Sequence, residues 1–234
     1  SKKMITRFLI VATALSILFS QQSCKEVSKG APIKEPLKKE VTQEKKTTKK
    51  SILFFGNSIT AAFGLEPSEA FSNLIQEKID SLGLDYTCIN AGNSGETTKG
   101  GLARLDWVMK EPIDIFVLEL GANDGLRGYS TSETKKNLIA IIRKFRNKNP
   151  SSEVILTGMK VPPSMGDKYF LDFENMYSEI AQVEKVNLIP FLLENVAGMK
   201  DLNLPDGIHP TAEGHKIVTE IVWKTLYPLL DSDF

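Results

Sequence analysis

Apolar residues follow two alternating rhythms along most of this chain. Short, nearly unbroken apolar runs occur at 52–55, 86–90, 113–120, 153–157 and 186–190, the first closed by Gly56. Runs of that length and continuity mark strands buried on both faces. Between them, at 70–82, 102–109, 134–146 and 170–183, and again at 211–229, apolar positions recur every three or four residues. That spacing predicts amphipathic helices. Strand and helix in strict alternation imply βαβ units, hence a five-stranded parallel sheet covered on both faces. The expected fold is α/β, a three-layer α/β/α sandwich of the flavodoxin-like kind, with one domain spanning 51–234.

Residues 1–50 follow neither rhythm. Lys2, Lys3 and Arg7 precede an apolar run at 8–19, which is too short to span a bilayer as a helix and reads as the core of an export signal over 1–23. Ser23 and Cys24 then resemble the processing site of bacterial lipoproteins, in which the Cys becomes the lipidated N-terminus. That resemblance implies an exported, membrane-anchored protein facing periplasm or cell surface, held by more than one acyl chain at Cys24. Ordinary secretion with a free Cys24 is the alternative. Residues 24–50, rich in Lys, Glu, Thr and Pro, bury too little to fold and read as a disordered charged linker. The second cysteine, Cys88, falls in an apparent buried strand and reads as an inert core thiol.

Charge divides the chain in the same place. Residues 1–50 carry twelve Lys or Arg against four Glu, and the rest carries 17 basic against 25 acidic residues, a net −8. An acidic globule argues against nucleic-acid binding, which needs clustered Lys and Arg. No Cys, His or carboxylate grouping has metal-ligand spacing, and no Gly-rich loop is followed by a phosphate-binding Lys. The chemistry read below requires neither metal nor cofactor.

In open α/β sheets, ligands bind beyond the carboxyl ends of the strands. The first strand is followed there by Gly56-Asn57-Ser58-Ile59-Thr60, the second by Ala91-Gly92-Asn93-Ser94-Gly95-Glu96-Thr97, and the third by Gly121-Ala122-Asn123-Asp124. Asp206-Gly207-Ile208-His209-Pro210 precedes the last helix. A serine hydroxyl becomes an effective nucleophile when a neighbouring base takes its proton, and neutral imidazole suits that role. Of the two histidines, His215 lies inside the last helical stretch, whereas His209, held extended before Pro210, is free to project over the sheet edge. Asp206, three residues earlier, can accept the Nδ1 hydrogen and leave Nε2 facing Ser58. Each motif also has a purely structural reading: Asp206 and His209 as a helix cap, Gly95 as a turn, Asn123 as an Asx turn. Their joint placement on one rim favours chemistry.

Together these four segments resemble the SGNH (GDSL-like) hydrolase superfamily, whose marker residues are a Ser, a Gly, an Asn and a His in this order. The run Gly121-Ala122-Asn123-Asp124-Gly125-Leu126-Arg127-Gly128 is similar in particular to the branch containing thioesterase I, arylesterase and lysophospholipase. The resemblance implies an oxyanion hole formed by the backbone N–H of Ser58, the backbone N–H of Gly95 and the side-chain amide of Asn123. It also exposes a departure, since Asn57 stands where the family usually has Asp. Activity is expected to survive with altered rate or pH dependence. Asp124 is expected to order its loop rather than to act in the chemistry.

The reaction expected is hydrolysis of carboxylic esters or thioesters, fatty-acyl or aryl esters with lysophospholipid as a further candidate, through an acyl-serine intermediate. Leu126, Arg127 and Tyr129, with the stretch from Met159 through Val161, Pro162, Pro163 and Met165 to Tyr169 and Phe170, offer an apolar wall suited to a fatty-acyl chain, or else pack the following helix. A carbohydrate acetylesterase, and a non-catalytic binding lipoprotein on the same fold, are the alternatives.

Overall fold

The computed structural model describes residues 49–230. The export signal, Cys24 and most of the charged linker lie outside them. Five strands, β1 (Lys50–Gly56), β2 (Tyr86–Gly92), β3 (Ile115–Glu119), β4 (Glu153–Thr157) and β5 (Asn187–Ile189), form one sheet in the order β2-β1-β3-β4-β5. Every neighbouring pair is parallel. This is the flavodoxin-like order, in which the chain reverses direction of travel across the sheet between β1 and β3 and opens a crevice at their carboxyl ends.

Helices α1 (Phe71–Ser81) and α6 (Ala212–Leu226) cover one face, while α2 (Thr98–Val108), α4 (Thr131–Lys148) and α5 (Asp167–Glu184) cover the other. The period-two alternation of β1 distributes its aromatics between the layers. Phe54 meets Phe71 of α1 edge to face at 5.5 Å. Phe55 points the other way to Phe116, 5.8 Å between centroids, and Phe116 stacks on Phe145 of α4 at 4.3 Å. Ile52, Leu53, Phe54 and Phe55 are fully buried, as the unbroken apolar run predicts.

Three elements differ from expectation. Helix α2 begins at Thr98, not 102, because Gly100 and Gly101, each costing a helix about 1 kcal/mol relative to Ala, mask its first turn in the sequence. The segment after β3 is a short helix, α3 (Ala122–Leu126), where a loop is expected. Strand β2 is an edge strand, with Thr87 and Ile89 exposed. Cys88 on it is therefore half-buried instead of central, although burial, and secondarily Asp80, still pushes its thiol up to about 12 and keeps it unreactive.

Candidate active site

The turn that leaves β1 is built around a close approach. A Cβ at Gly56 would run into Thr60 Oγ1 and the Glu119 carboxylate, so glycine lets the turn fold back tightly onto β3. Ala61 N–H donates to Asn57 O at 3.0 Å and Phe63 N–H to Ser58 O at 2.9 Å, closing the turn around Ser58. Ser58 Oγ lies 2.8 Å from His209 Nε2, although 151 residues separate the two.

His209 is fixed from its other side. Asp206 Oδ2 is 2.7 Å from His209 Nδ1, and Asp206 Oδ1 accepts the backbone N–H groups of Ile208 at 2.8 Å and His209 at 3.0 Å. The hydrogen bond from the imidazole, with those two backbone donors, holds the Asp206 carboxyl down to about 2. A carboxylate only accepts, so Nδ1 carries the hydrogen and Nε2 presents a lone pair to Ser58. Phe63, half exposed, lays its ring 4.7 Å from the imidazole at 40° and limits ring motion on that side. His215, by contrast, is buried on α6, where its Nδ1 accepts Phe71 N–H at 3.1 Å. Burial brings it down to about 4, so it is a neutral packing residue.

The loop after β2 and the start of α3 close the site. Gly95 sits at φ +78°, in the left-handed region open to a residue without Cβ. Its carbonyl accepts Arg127 Nη2 at 3.0 Å, which leaves the loop tied to the end of α3. Asn123 Nδ2 donates to Glu96 O at 3.1 Å, fixing the amide plane while its second hydrogen remains for a ligand. Buried Glu96 pairs with Arg104, whose Nε donates to Glu96 Oε2 at 2.6 Å and whose Nη2 reaches Ala91 O at 2.8 Å. Asp124 accepts Thr98 N–H at 2.9 Å and Thr98 Oγ1 at 2.6 Å, anchoring the first turn of α2. Asp124 thus orders the loop, as its sequence position suggests.

Behind the turn stands a group that the sequence reading passes over. Glu119, the last residue of β3, is 1 % exposed and accepts from Asn57 N–H at 3.0 Å, Asn57 Nδ2 at 2.6 Å, Thr60 N–H at 3.3 Å and Thr60 Oγ1 at 2.9 Å. Burial outweighs these four hydrogen bonds and pushes its carboxyl up to about 7. The signal available was a lone charge closing an otherwise wholly apolar strand. Further out, Met159 and Val161 are buried in the core and do not wall the rim, whereas Leu126 and Tyr129 are exposed there.

A serine, a basic imidazole nitrogen and an orienting carboxylate in one hydrogen-bonded line form an arrangement able to carry out acyl transfer. Residues 54–217 match the GDSL-like Lipase/Acylhydrolase family. The chain belongs to this family. Among relatives of this GDSL-like chain, Esterase TesA of Pseudomonas aeruginosa is 40 % identical over 181 residues, covering 77 % of this chain and 89 % of the relative. Thioesterase 1/protease 1/lysophospholipase L1 of Escherichia coli is 32 % identical over 184 residues, covering 78 % and 86 %. The crystal structure of the psychrotrophic esterase EstA from Pseudoalteromonas sp., inhibited by monoethylphosphonate, superposes with a TM-score of 0.72 at 30 % identity, covering 76 % of this chain and 97 % of that one. The chain is accordingly a serine hydrolase of the GDSL-like family, with the three-layer fold expected of it.

Proposed function

We propose that Ser58 is the nucleophile of an esterase or thioesterase acting on acyl chains, with His209 as its base and Asp206 orienting that base. The observation that carries this reading is the unbroken line of hydrogen bonds from Ser58 Oγ through His209 to Asp206, 2.8 and 2.7 Å. Ser58 Oγ attacks the acyl carbon as its proton passes to His209 Nε2. The charge that develops on the carbonyl oxygen is stabilised by the N–H groups of Ser58 and Gly95 and by Asn123 Nδ2. The leaving alkoxide or thiolate takes the proton from His209, and water activated by the same imidazole then hydrolyses the acyl-Ser58 ester.

The acyl preference rests on the rim. Phe63, Leu126, Tyr129 and Ile208 are 44 to 49 % exposed on the segments that carry His209, Asn123 and Ser58. Exposed apolar side chains on the segments that carry a polar site, with Phe63 against the His209 ring, favour a hydrocarbon chain over a sugar. Hydrolysis rates for p-nitrophenyl esters and acyl-CoA thioesters of graded length test this, with medium chains expected to exceed acetate. A sharp preference for acetyl would instead favour a carbohydrate acetylesterase. Ser58→Ala is expected to abolish labelling by a fluorophosphonate and to lower kcat by about 1000-fold or more. An unlabelled but folded wild-type protein would favour the non-catalytic binding role.

We also propose membrane anchoring through a lipidated Cys24, supported by the order of basic residues, apolar run and Cys in the sequence. Cys24→Ser should move the protein from the membrane fraction to the soluble one. A wild-type protein already soluble after export would remove this reading.

A further inference from the structure

We infer that Glu119 is the positioning residue that holds the Ser58 turn in its reactive geometry, through an amide–carboxylate pair with Asn57 whose two halves are exchangeable. The inference rests on the reading of Ser58 as nucleophile. Strand register brings Glu119 opposite Gly56, directly beneath the turn. Its Oε2 collects three donors, Asn57 N–H, Thr60 N–H and Thr60 Oγ1, while Oε1 takes the Asn57 side-chain amide. Donors therefore reach both oxygens, a pattern completed by the ionised carboxylate, the form that prevails above the value of about 7 to which burial pushes this group.

The consequence for Ser58 passes through the orientation of Asn57. Because Nδ2 is committed to Glu119, Oδ1 must face the other way, where it accepts Ile59 N–H at 3.0 Å and lies 3.4 Å from Ser58 Oγ. Reversing the amide would bring its NH2 group against Ile59 N–H and turn a donor toward the nucleophile. Glu119 is what prevents that reversal. The hydroxyl hydrogen of Ser58 is then left to the nearer acceptor, His209 Nε2 at 2.8 Å.

Replacing Glu119 by Gln breaks this pattern whichever way the new amide points. With its NH2 on the Oε2 side it opposes two backbone N–H groups, and on the Oε1 side it opposes Asn57 Nδ2 and forces the reversal. Either arrangement leaves a buried donor unpaired. Adding Asn57→Asp restores the match, since a carboxylate at 57 accepts both Ile59 N–H and the new amide, whose oxygen then accepts from the turn.

The test is a cycle of wild type, E119Q and N57D/E119Q, assayed for p-nitrophenyl butyrate hydrolysis at a pH above the titration of Glu119 and below each variant's Tm, with fluorophosphonate labelling of Ser58 in parallel. E119Q is expected to lose roughly 10- to 100-fold in kcat per folded molecule with KM little changed, the scale of a displaced nucleophile. N57D/E119Q is expected to recover most of it. A folded E119Q with wild-type kcat, however unstable, overturns the inference by making Glu119 merely structural. Where E119Q does not fold, the exchange variant decides: recovery of kcat supports the pairing, and an inactive or unfolded exchange variant refutes it. Failure of the wild type itself to label would refute the Ser58 reading instead.

Discussion

Asn57 is the residue at which this chain leaves the usual pattern of its family, and its surroundings supply a physical reason. Its side chain donates to Glu119 at 2.6 Å, a bond that an aspartate cannot make unless one of the two carboxyls holds a proton. Two buried carboxyls at that separation do not both ionise. Asn57→Asp is therefore expected to bring no general rise in activity, and to steepen the loss at alkaline pH as the shared proton leaves. A pH–rate profile checks this, and a large gain across the whole range would mark Asn57 as a handicap. A second residue-scale expectation concerns Asn123, whose replacement by Ala should lower kcat about 100- to 1000-fold with KM less affected, as for loss of one oxyanion donor. Ser58, Gly95, Asn123, Asp206 and His209 were legible because each lies in a short motif directly after a strand or before a helix. Glu119 and Phe63 were not. The role of Glu119 depends on β1–β3 register, and that of Phe63 on a ring contact across 146 positions, neither of which leaves a spacing in the sequence.

At the scale of elements, the segment leaving the Ser58 turn carries a conformational cost. Ala62 adopts φ +52° while its methyl is buried, a backbone region costing a non-glycine residue about 1 kcal/mol or more. Ala62→Gly should relieve much of that strain and raise Tm by about 2–4 °C per kcal/mol recovered in a domain of this size. A lowered Tm would mean that methyl packing outweighs the strain. Legibility at this scale followed buried apolar continuity. Strands β1, β3 and β4 were evident because both faces are covered, and β2 was over-read as buried because its apolar run carries no sign of lying at the sheet edge. The first turn of α2 was hidden by its glycines, and is held instead by Thr97 Oγ1, which accepts Gly100 N–H at 3.3 Å, and by Asp124 on α3. Local propensity is overridden there by a tertiary contact.

Across the whole molecule, two buried groups titrate in overlapping windows with opposite effects on stability. Burial raises Glu119 from 4.5 to about 7, so between those values the folded protein holds a proton that the unfolded chain has released. Stability contributed by Glu119 therefore falls as pH rises through that window. Burial lowers His215 from 6.5 to about 4, so between those values the unfolded chain binds a proton that the folded protein excludes. Its contribution rises with pH over nearly the same range. Asp206, held down to about 2 from 3.8, adds a loss of stability only below that range. The two buried groups share no hydrogen-bond partner, Glu119 accepting from Asn57 and Thr60 and His215 from Phe71, so their effects should be close to independent. The wild type is accordingly expected to show a nearly flat Tm from about pH 4.5 to 6.5. His215→Asn, which keeps an acceptor for Phe71 N–H but removes the titration, should unmask Glu119 and give a Tm that falls with rising pH. E119Q should unmask His215 and give the opposite slope. Both variants will melt lower than wild type overall, so the sign of the slope is the informative quantity. Parallel Tm–pH curves for all three proteins would show that these two groups do not set the pH response of the fold.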